Sequence, residues 1–479
     1  LASSGEVAWD DEAEVVVLGA GGTGLSAACA AASRGAKVAV FEADSKHGGT
    51  TAFSDGVIQA AGTDAQKRFT DCQDDSPDKH VDYYLKAAEG VAEEYLVRTL
   101  CERAPEIISW LEGLGMEWST VCGGYQIPYE AAESLVPRIH KPDAPDGMGG
   151  GAYLVDLMFT NARDQGVEFN FDCSAKKLIY DTERGVLGVQ VEQDGATRNI
   201  KAERGVVLAL GGMDHNMEMA KAYNPQQLWD LTTQISSVTP FSVGDGIRMG
   251  QEINAALASV GGTIDFDYQT FAGTYDSIPI IPCIYVNGNG VRFVAEDATC
   301  SYMLRAIFQQ EMQIGKPTYM IMDQHMVELG VGPWAESPDT AVSEGSLVKG
   351  ETLDEIARQI DVDPASLKRT VERWNESAQA GSDECFARIN QLIALDKPPY
   401  YARKNVLNNL GSLGGLRINE QAQVVDNNGD VIPRLFAGGM NSGGWYGPYY
   451  PGSGTSIVGG LAFGRIAGEQ AADTEAWSA

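Results

Sequence analysis

Three features of the 479-residue sequence predict an α/β fold whose main parallel sheet is assembled from both ends of the chain, with an α+β domain inserted between them. The first is a βαβ unit near the N-terminus, Glu14-Val-Val-Val-Leu-Gly19-Ala-Gly21-Gly22-Thr23-Gly24, running on into Leu25–Ser33. The second is the return of apolar strands that end on glycines, at Gly205–Gly212 and again at Leu435–Gly439. The third is a change of texture from about 263 to 390, where aromatics, prolines and acidic helices replace glycine hinges.

The first unit carries the most chemistry. Val15 to Leu18 read as a buried strand, followed by glycines at G-x-G-x-x-G spacing. Gly19 allows the tight turn, Gly21 lets backbone N–H groups approach a pyrophosphate, and Gly24 brings the helix onto the strand. A helix start also supplies partial positive charge to phosphates. The next strand, Ala36–Phe41, ends at Glu42, 18 residues after Gly24, where a carboxylate can accept from ribose hydroxyls. Strand, glycines, helix, second strand and terminal acid in register separate a dinucleotide site from a purely structural βαβ unit.

Residues 1–13 read as an arm into the first strand. Residues 76–118 show helical periodicity in Tyr83, Tyr84, Ala87, Ala88, Val91 and then Ile107, Ile108, Leu111, Leu114. Residues 119–150, rich in Gly and Pro, read as a long functional loop. Gly149–Leu154 opens a helix, and short strands follow at Glu168–Phe171, Lys177–Asp181, Gly185–Glu192 and Arg198–Ala202. Residues 244–257 form a helix with a tight start. Thr352–Gln359 and Pro364–Ala380 are helices of the insertion, and Thr455–Ala472 is the last helix. The expected domains are therefore 1–262 and 391–479 as two segments of one domain, with 263–390 capping it.

Composition narrows the partners. A formal net charge of −31 repels phosphate backbones and anionic lipid, so nucleic acid is not an expected partner. No apolar run approaches the ~20 residues of a membrane span, so stable membrane insertion is not expected. Eight scattered cysteines without a C-x-x-C pair argue against zinc or a compact iron–sulfur site and suit a reducing compartment. A cytoplasmic location is expected; because the chain opens on Leu1, export after removal of a leader is the alternative.

Both chain ends offer groups to one long cofactor. Gly48-Gly49-Thr50-Thr51-Ala-Phe-Ser54-Asp-Gly56 is a run of small residues and hydroxyls suited to a flat ring and phosphates. Tyr449-Tyr-Pro-Gly-Ser-Gly454-Thr-Ser456-Ile457 opens the last helix, whose free N–H groups can stabilise negative charge on a reduced flavin. Clasping from both termini fits FAD, bound non-covalently, better than NAD. Candidate cofactor contacts are Gly19, Gly21, Gly22, Thr23, Gly24, Glu42, Gly48, Gly49, Thr50, Thr51, Ser54, Gly56, Ala175, Gly211, Gly439, Asn441, Gly454, Ser456 and Ile457.

With these motifs in place, the chain resembles the flavoprotein superfamily of soluble fumarate reductases and 3-ketosteroid dehydrogenases over nearly its full length. The resemblance implies a glutathione-reductase-like FAD domain in two pieces with the cap between them. Carboxylate-reducing members resemble one another in a histidine before the second glycine pair and an arginine before the last helix. Here Leu407-Asn-Asn-Leu-Gly-Ser-Leu-Gly-Gly415 has no histidine and Asn441–Gly454 has no arginine. The steroid branch is therefore favoured, and dicarboxylates are expected to be poor substrates.

In that branch a tyrosine hydroxyl and a glycine N–H bind the substrate ketone, roles that the resemblance carries to Tyr450 and Gly454. It implies removal of one proton by a base and transfer of hydride to flavin N5, with a quinone or another carrier as electron partner. The base is a cap tyrosine, for which Tyr302 stands nearest; it lies a residue or two off the pattern, and an ordinary tyrosine on a cap helix is the other reading. Tyr125 is a second candidate for the pocket wall. For Tyr450 the plain alternative is packing on the flavin, with Gly454 merely starting a helix. The expected activity is oxidation of a CH–CH bond beside a ketone, most simply a 3-ketosteroid dehydrogenase; an ene-reductase and a flavin electron-transfer subunit are the alternatives.

Overall fold

A computed structural model of the chain describes residues 7–123, 136–233, 236–267, 281–447 and 450–477. Its eight-stranded sheet holds the parallel strands Asp11–Leu18, Val38–Phe41, Glu168–Asn170, Ala196–Leu208 and Val431–Ala437 side by side. The continuous apolar runs of the sequence are buried on both faces, as parallel strands require. Val15 pairs with Val38 on one side and Gly205 on the other, so the first return of the chain lies beside the strand of the glycine-rich turn, and the second, Val431–Ala437, lies on the far side of that return.

Two small-residue helices join the chain's ends. Gly22–Ser33 packs against Thr455–Asp473 so closely that a Cβ on Gly468 would lie 2.1 Å from the Ala27 carbonyl oxygen, and one on Gly464 2.5 Å from that of Thr23. Ser26 Oγ donates to the Leu461 carbonyl across this contact at 2.8 Å. Backbone approach of this kind is open only to glycine at these two positions, since even the methyl of alanine would collide.

The inserted unit is a four-stranded antiparallel sheet of Cys283–Val286, Tyr319–Met322, Val348–Gly350 and Tyr400–Lys404, with a helix layer on each face. Cys283, Tyr285, Met320 and Met322 face Met303, Leu304 and Ile307 of the Cys300–Ile314 helix. The alternate residues Ile284, Val286 and Ile321 face Ile356, Leu367, Val371 and Trp374 of the Leu353–Gln359 and Pro364–Ala380 helices. This is the period-2 alternation of a sheet covered on both sides.

Several expected boundaries shift. The limit at 390 is too early, because Tyr400–Lys404 is an inner strand of the inserted sheet. The limit at 263 falls within the strand Leu257–Asp267, which pairs antiparallel with Leu407–Arg417 and so links the two units. The helical stretch 76–118 is two helices, Pro77–Ala87 and Glu94–Gly113, broken where Glu89 and Gly90 take positive φ. The loop expected over 119–150 contains Ile139–Pro142 and most of Trp118–Cys122, strands of a small sheet with Ile58–Gln59. The helix expected over 244–257 stops at Gln251, since Asn254 turns at φ 73° before the next strand. The strands expected at Arg198 and Gly205 are one, Ala196–Leu208, which carries the antiparallel hairpin on its first half and the parallel sheet on its second. Among the described residues no helix is long and apolar enough to cross a membrane.

Candidate active site

At the C-terminal ends of the parallel strands lies a trough made of two cavities, of 210 and 340 Å³. They share Gly22, Thr23, Thr50, Thr51, Leu410 and Met440, so one opens into the other. The smaller is walled by Gly19, Gly21, Glu42, Gly49, Ala175 and Gly211. The larger is walled by Ser54, Gly56, Gly439, Tyr450, Gly454, Ser456 and Ile457. Residues from both chain ends thus meet along one elongated groove.

The three motif glycines divide their work. A Cβ on Gly19, at φ 102°, would sit 2.3 Å from the Ala209 carbonyl oxygen, and one on Gly24 1.9 Å from that of Gly19. Those two are demanded by the protein's own packing. A Cβ on Gly21 would meet nothing closer than 3.7 Å, so the fold itself leaves this position open to a side chain. Glycine there leaves the backbone accessible to a ligand in the groove. Gly21 also caps the Gly22–Ser33 helix without any side-chain hydrogen bond; the Gly22 N–H donates to Thr51 Oγ1 at 3.3 Å, and first-turn N–H groups beyond it are left to an anion.

Glu42 is set rigidly beside this turn. Its Oε2 accepts from the Ala20 N–H at 2.6 Å and its Oε1 from the Asp44 N–H at 2.8 Å. Burial pushes its carboxyl up from the ordinary value, and the N–H groups of Asp44 and Ala20 work against that shift. Each oxygen keeps lone pairs for hydroxyls lying in the smaller cavity.

At the other end, Tyr450 is 5 % exposed and lines the larger cavity. Its Oη accepts the Ser456 N–H from the first turn of the last helix at 3.0 Å. Burial raises its phenol above the ordinary value, so at neutral pH the hydroxyl keeps its proton and acts as a donor rather than a base. An N–H donated into the same oxygen polarises that O–H further. Gly454 caps the helix at φ 92°, and a Cβ there would lie 2.7 Å from the Gln59 backbone nitrogen.

Buried groups of the Pro77–Ala87 helix grip this loop. Tyr83 Oη donates to the Pro451 carbonyl at 2.5 Å. Tyr84 Oη reaches Gln59 Oε1 at 2.9 Å and Thr455 Oγ1 at 3.0 Å, and Thr455 donates to the Gly452 carbonyl at 2.8 Å.

A family model described as FAD binding domain matches residues 14–457. The chain belongs to this family. Digoxin reductase of Eggerthella lenta is 29 % identical over 513 residues, covering 98 % of this chain and 89 % of that protein. Urocanate reductase of the same species is 31 % identical over 479 residues, covering 96 % and 75 %. The crystal structure of 3-ketosteroid Δ4-(5α)-dehydrogenase from Rhodococcus jostii, in complex with 4-androstene-3,17-dione, superposes with a TM-score of 0.85 at 28 % identity over 98 % of this chain and 99 % of that one. The cofactor of the FAD binding domain family is FAD, and the chain is an FAD-dependent oxidoreductase.

The groove fits that cofactor. The open backbone at Gly21 would take the pyrophosphate, Glu42 the ribose, and the wall from Thr51 to Gly56 with the Gly454–Ile457 helix start the ring system. Three expected contacts have other work. Gly24 serves helix–strand packing, and Gly48 pairs as an isolated bridge with Gly21. Asn441, fully buried, accepts the Leu210 N–H at 2.8 Å and braces the strand end behind the groove. Tyr302 packs against the cap's core and, among the described residues, is not part of either cavity wall. Tyr125 lies outside the described residues. Sequence reasoning missed Leu410 and Met440, which join the cavities, and Thr239, whose N–H donates to Thr50 Oγ1 at 3.3 Å over the trough. Met440 could have been found from its place between Gly439 and Asn441, whereas no motif marks Leu410 and Thr239, which distant segments bring to the groove.

Proposed function

We propose that the chain acts on the carbon–carbon bond next to a ketone in an uncharged, ring-shaped substrate, a 3-ketosteroid or a smaller cyclic ketone. The observation that carries this reading is the Tyr450 hydroxyl, which accepts the Ser456 N–H and keeps its own proton on the wall of a cavity without cations. No Lys, Arg or His lines that cavity among the described residues, and the segments outside them contain none in their sequence. A dicarboxylate placed there would lose its hydration without gaining a counter-charge.

A ketone oxygen at Tyr450 receives a hydrogen bond that strengthens as the carbonyl gains enolate character, and this acidifies the neighbouring C–H. Bound FAD supplies the two-electron acceptor, or the donor in the reverse sense. Tyr450, with its raised phenol, stabilises the oxyanion and leaves proton removal to another group. A quinone or another small carrier would complete the electron balance.

The reverse direction, reduction of an enone, is the second reading, supported by a relative named as a reductase of the uncharged, polycyclic digoxin. Anaerobic mixing of the FAD-loaded protein with saturated cyclic ketones separates the two. Bleaching of the flavin band supports dehydrogenation. Reoxidation of the prereduced protein by enones alone supports reduction. Efficient turnover of fumarate or urocanate, with no response to any cyclic ketone, would overturn the reading in both senses.

A further inference from the structure

We propose that Asn408 and Ser237 form a second polar point in the active-site cavity, selecting substrates that carry a further uncharged oxygen, a ketone or a hydroxyl, in addition to the ketone at Tyr450. The proposal rests on the reading above and specifies the substrate class for the same site. Asn408 comes from the strand Leu407–Arg417 and Ser237 from a separate segment, yet both line the 340 Å³ cavity. The two segments are locked together: the Ser237 N–H donates to the Asn409 carbonyl at 3.0 Å, and Ser236 bridges to Asn409. Asn408 Nδ2 donates to Ser237 Oγ at 3.0 Å, while the reverse contact, from Ser237 Oγ to Asn408 Oδ1, is longer at 3.4 Å.

One bond between the pair leaves an amide N–H, amide lone pairs and a hydroxyl lone pair for a ligand. The wall around them includes Ile264, Leu410 and Met440. A few placed polar groups in such a wall fix a ligand's orientation and set its specificity. Charge narrows the choice of ligand group. Asp55 is the acid on this wall among the described residues, and no cation lines it, so a carboxylate is disfavoured and a neutral oxygen is suited. Because Asn408 and Ser237 already bond to each other, a ligand lacking the second oxygen leaves no fully orphaned group. The expected discrimination is therefore about tenfold, far below that of a site whose buried donors would be stranded.

The test uses the FAD-loaded protein, anaerobically, titrated with two polycyclic ketones that differ only in a second ketone on the distal ring. Binding is read from the shift of the flavin absorption band. The doubly oxygenated compound should bind about tenfold tighter, and in Asn408→Leu and Ser237→Ala the ratio of the two affinities should fall towards one. Asn408→Asp, close in shape but short of the amide donor, should lower the ratio as well; bound FAD in each variant confirms a folded site. Equal affinities in the unmodified protein, or an undiminished ratio in all the variants, would overturn the subsite while leaving the ketone reading intact. If neither compound binds, the ketone reading itself fails and the subsite fails with it.

Discussion

Tyr450 Oη lies 3.0 Å from the backbone nitrogen of Ser456 and accepts its hydrogen, so the phenol is fixed at the start of the last helix with its own proton directed elsewhere. Tyr450→Phe keeps the ring and deletes that proton. Loss of one oxyanion-type donor costs on the order of 10²–10³ in rate. The loss should fall mainly on turnover, because enolate charge develops in the transition state. Stopped-flow flavin reduction, with bound FAD quantified alongside, checks both halves: a near-normal rate would reduce Tyr450 to a packing residue.

Gly19 and Gly21 should respond oppositely to the same change. Gly19→Ala forces a Cβ to 2.3 Å from the Ala209 carbonyl at a backbone angle of φ 102°, so it should lower stability and yield little soluble protein. Gly21→Ala meets nothing closer than 3.7 Å and should fold normally. It should lose FAD instead, since its methyl occupies the space a pyrophosphate needs. Thermal melts and released-flavin assays on the two variants separate a packing glycine from a ligand glycine.

Much of this division was legible in the sequence, because glycine spacing and the acid at Glu42 follow from the geometry of a βαβ turn. Legibility fails where function depends on distant segments meeting. The break at Glu89–Gly90 hides inside an apolar rhythm that runs through it, and Tyr400–Lys404 reads equally well as a strand of either unit. Asn441 illustrates the limit at the site: its place beside a glycine pair suggests a cofactor contact, yet its amide serves the Leu210 N–H. Tyr302, placed by resemblance, turns on packing within the cap that no local pattern encodes.

Glu42→Gln tests the ribose contact with little change in shape. The amide removes the charge and keeps one acceptor, for either the Ala20 or the Asp44 N–H, with its NH2 turned to the other; hydrogen bonds to charged groups are worth about 1.5–3 kcal/mol. FAD affinity should fall by roughly ten- to a hundredfold. Fluorescence titration of the apoprotein with FAD and with FMN checks this. FMN lacks the adenosine ribose, so its binding should be unaffected by the change.

His140 makes stability depend on acid. Its Nδ1 lies 2.9 Å from the Arg138 carbonyl and 3.2 Å from that of Ile58, so that nitrogen carries the hydrogen. Nε2 is then bare and accepts from Thr63 Oγ1 at 2.7 Å, while Thr63 itself accepts the Gln66 N–H. Burial lowers its pKa from the ordinary 6.5 to about 4, and burial likewise holds His80 well below that value. The unfolded chain therefore takes up a proton near pH 6.5 that the native protein refuses. The stabilisation is complete above that pH and is lost as pH falls towards 4. The buried carboxyls of Glu42 and Asp214, raised by burial, act in the opposite direction. A comparison with His140→Gln removes that background. At about 1.4 kcal/mol per pH unit, the unmodified protein should lose about 2 kcal/mol more than the variant between pH 7.5 and pH 5. Urea unfolding of both proteins at the two pH values measures the difference. Parallel losses would mean that His140 is already protonated in the native protein, with the Thr63 hydroxyl turned away from Nε2.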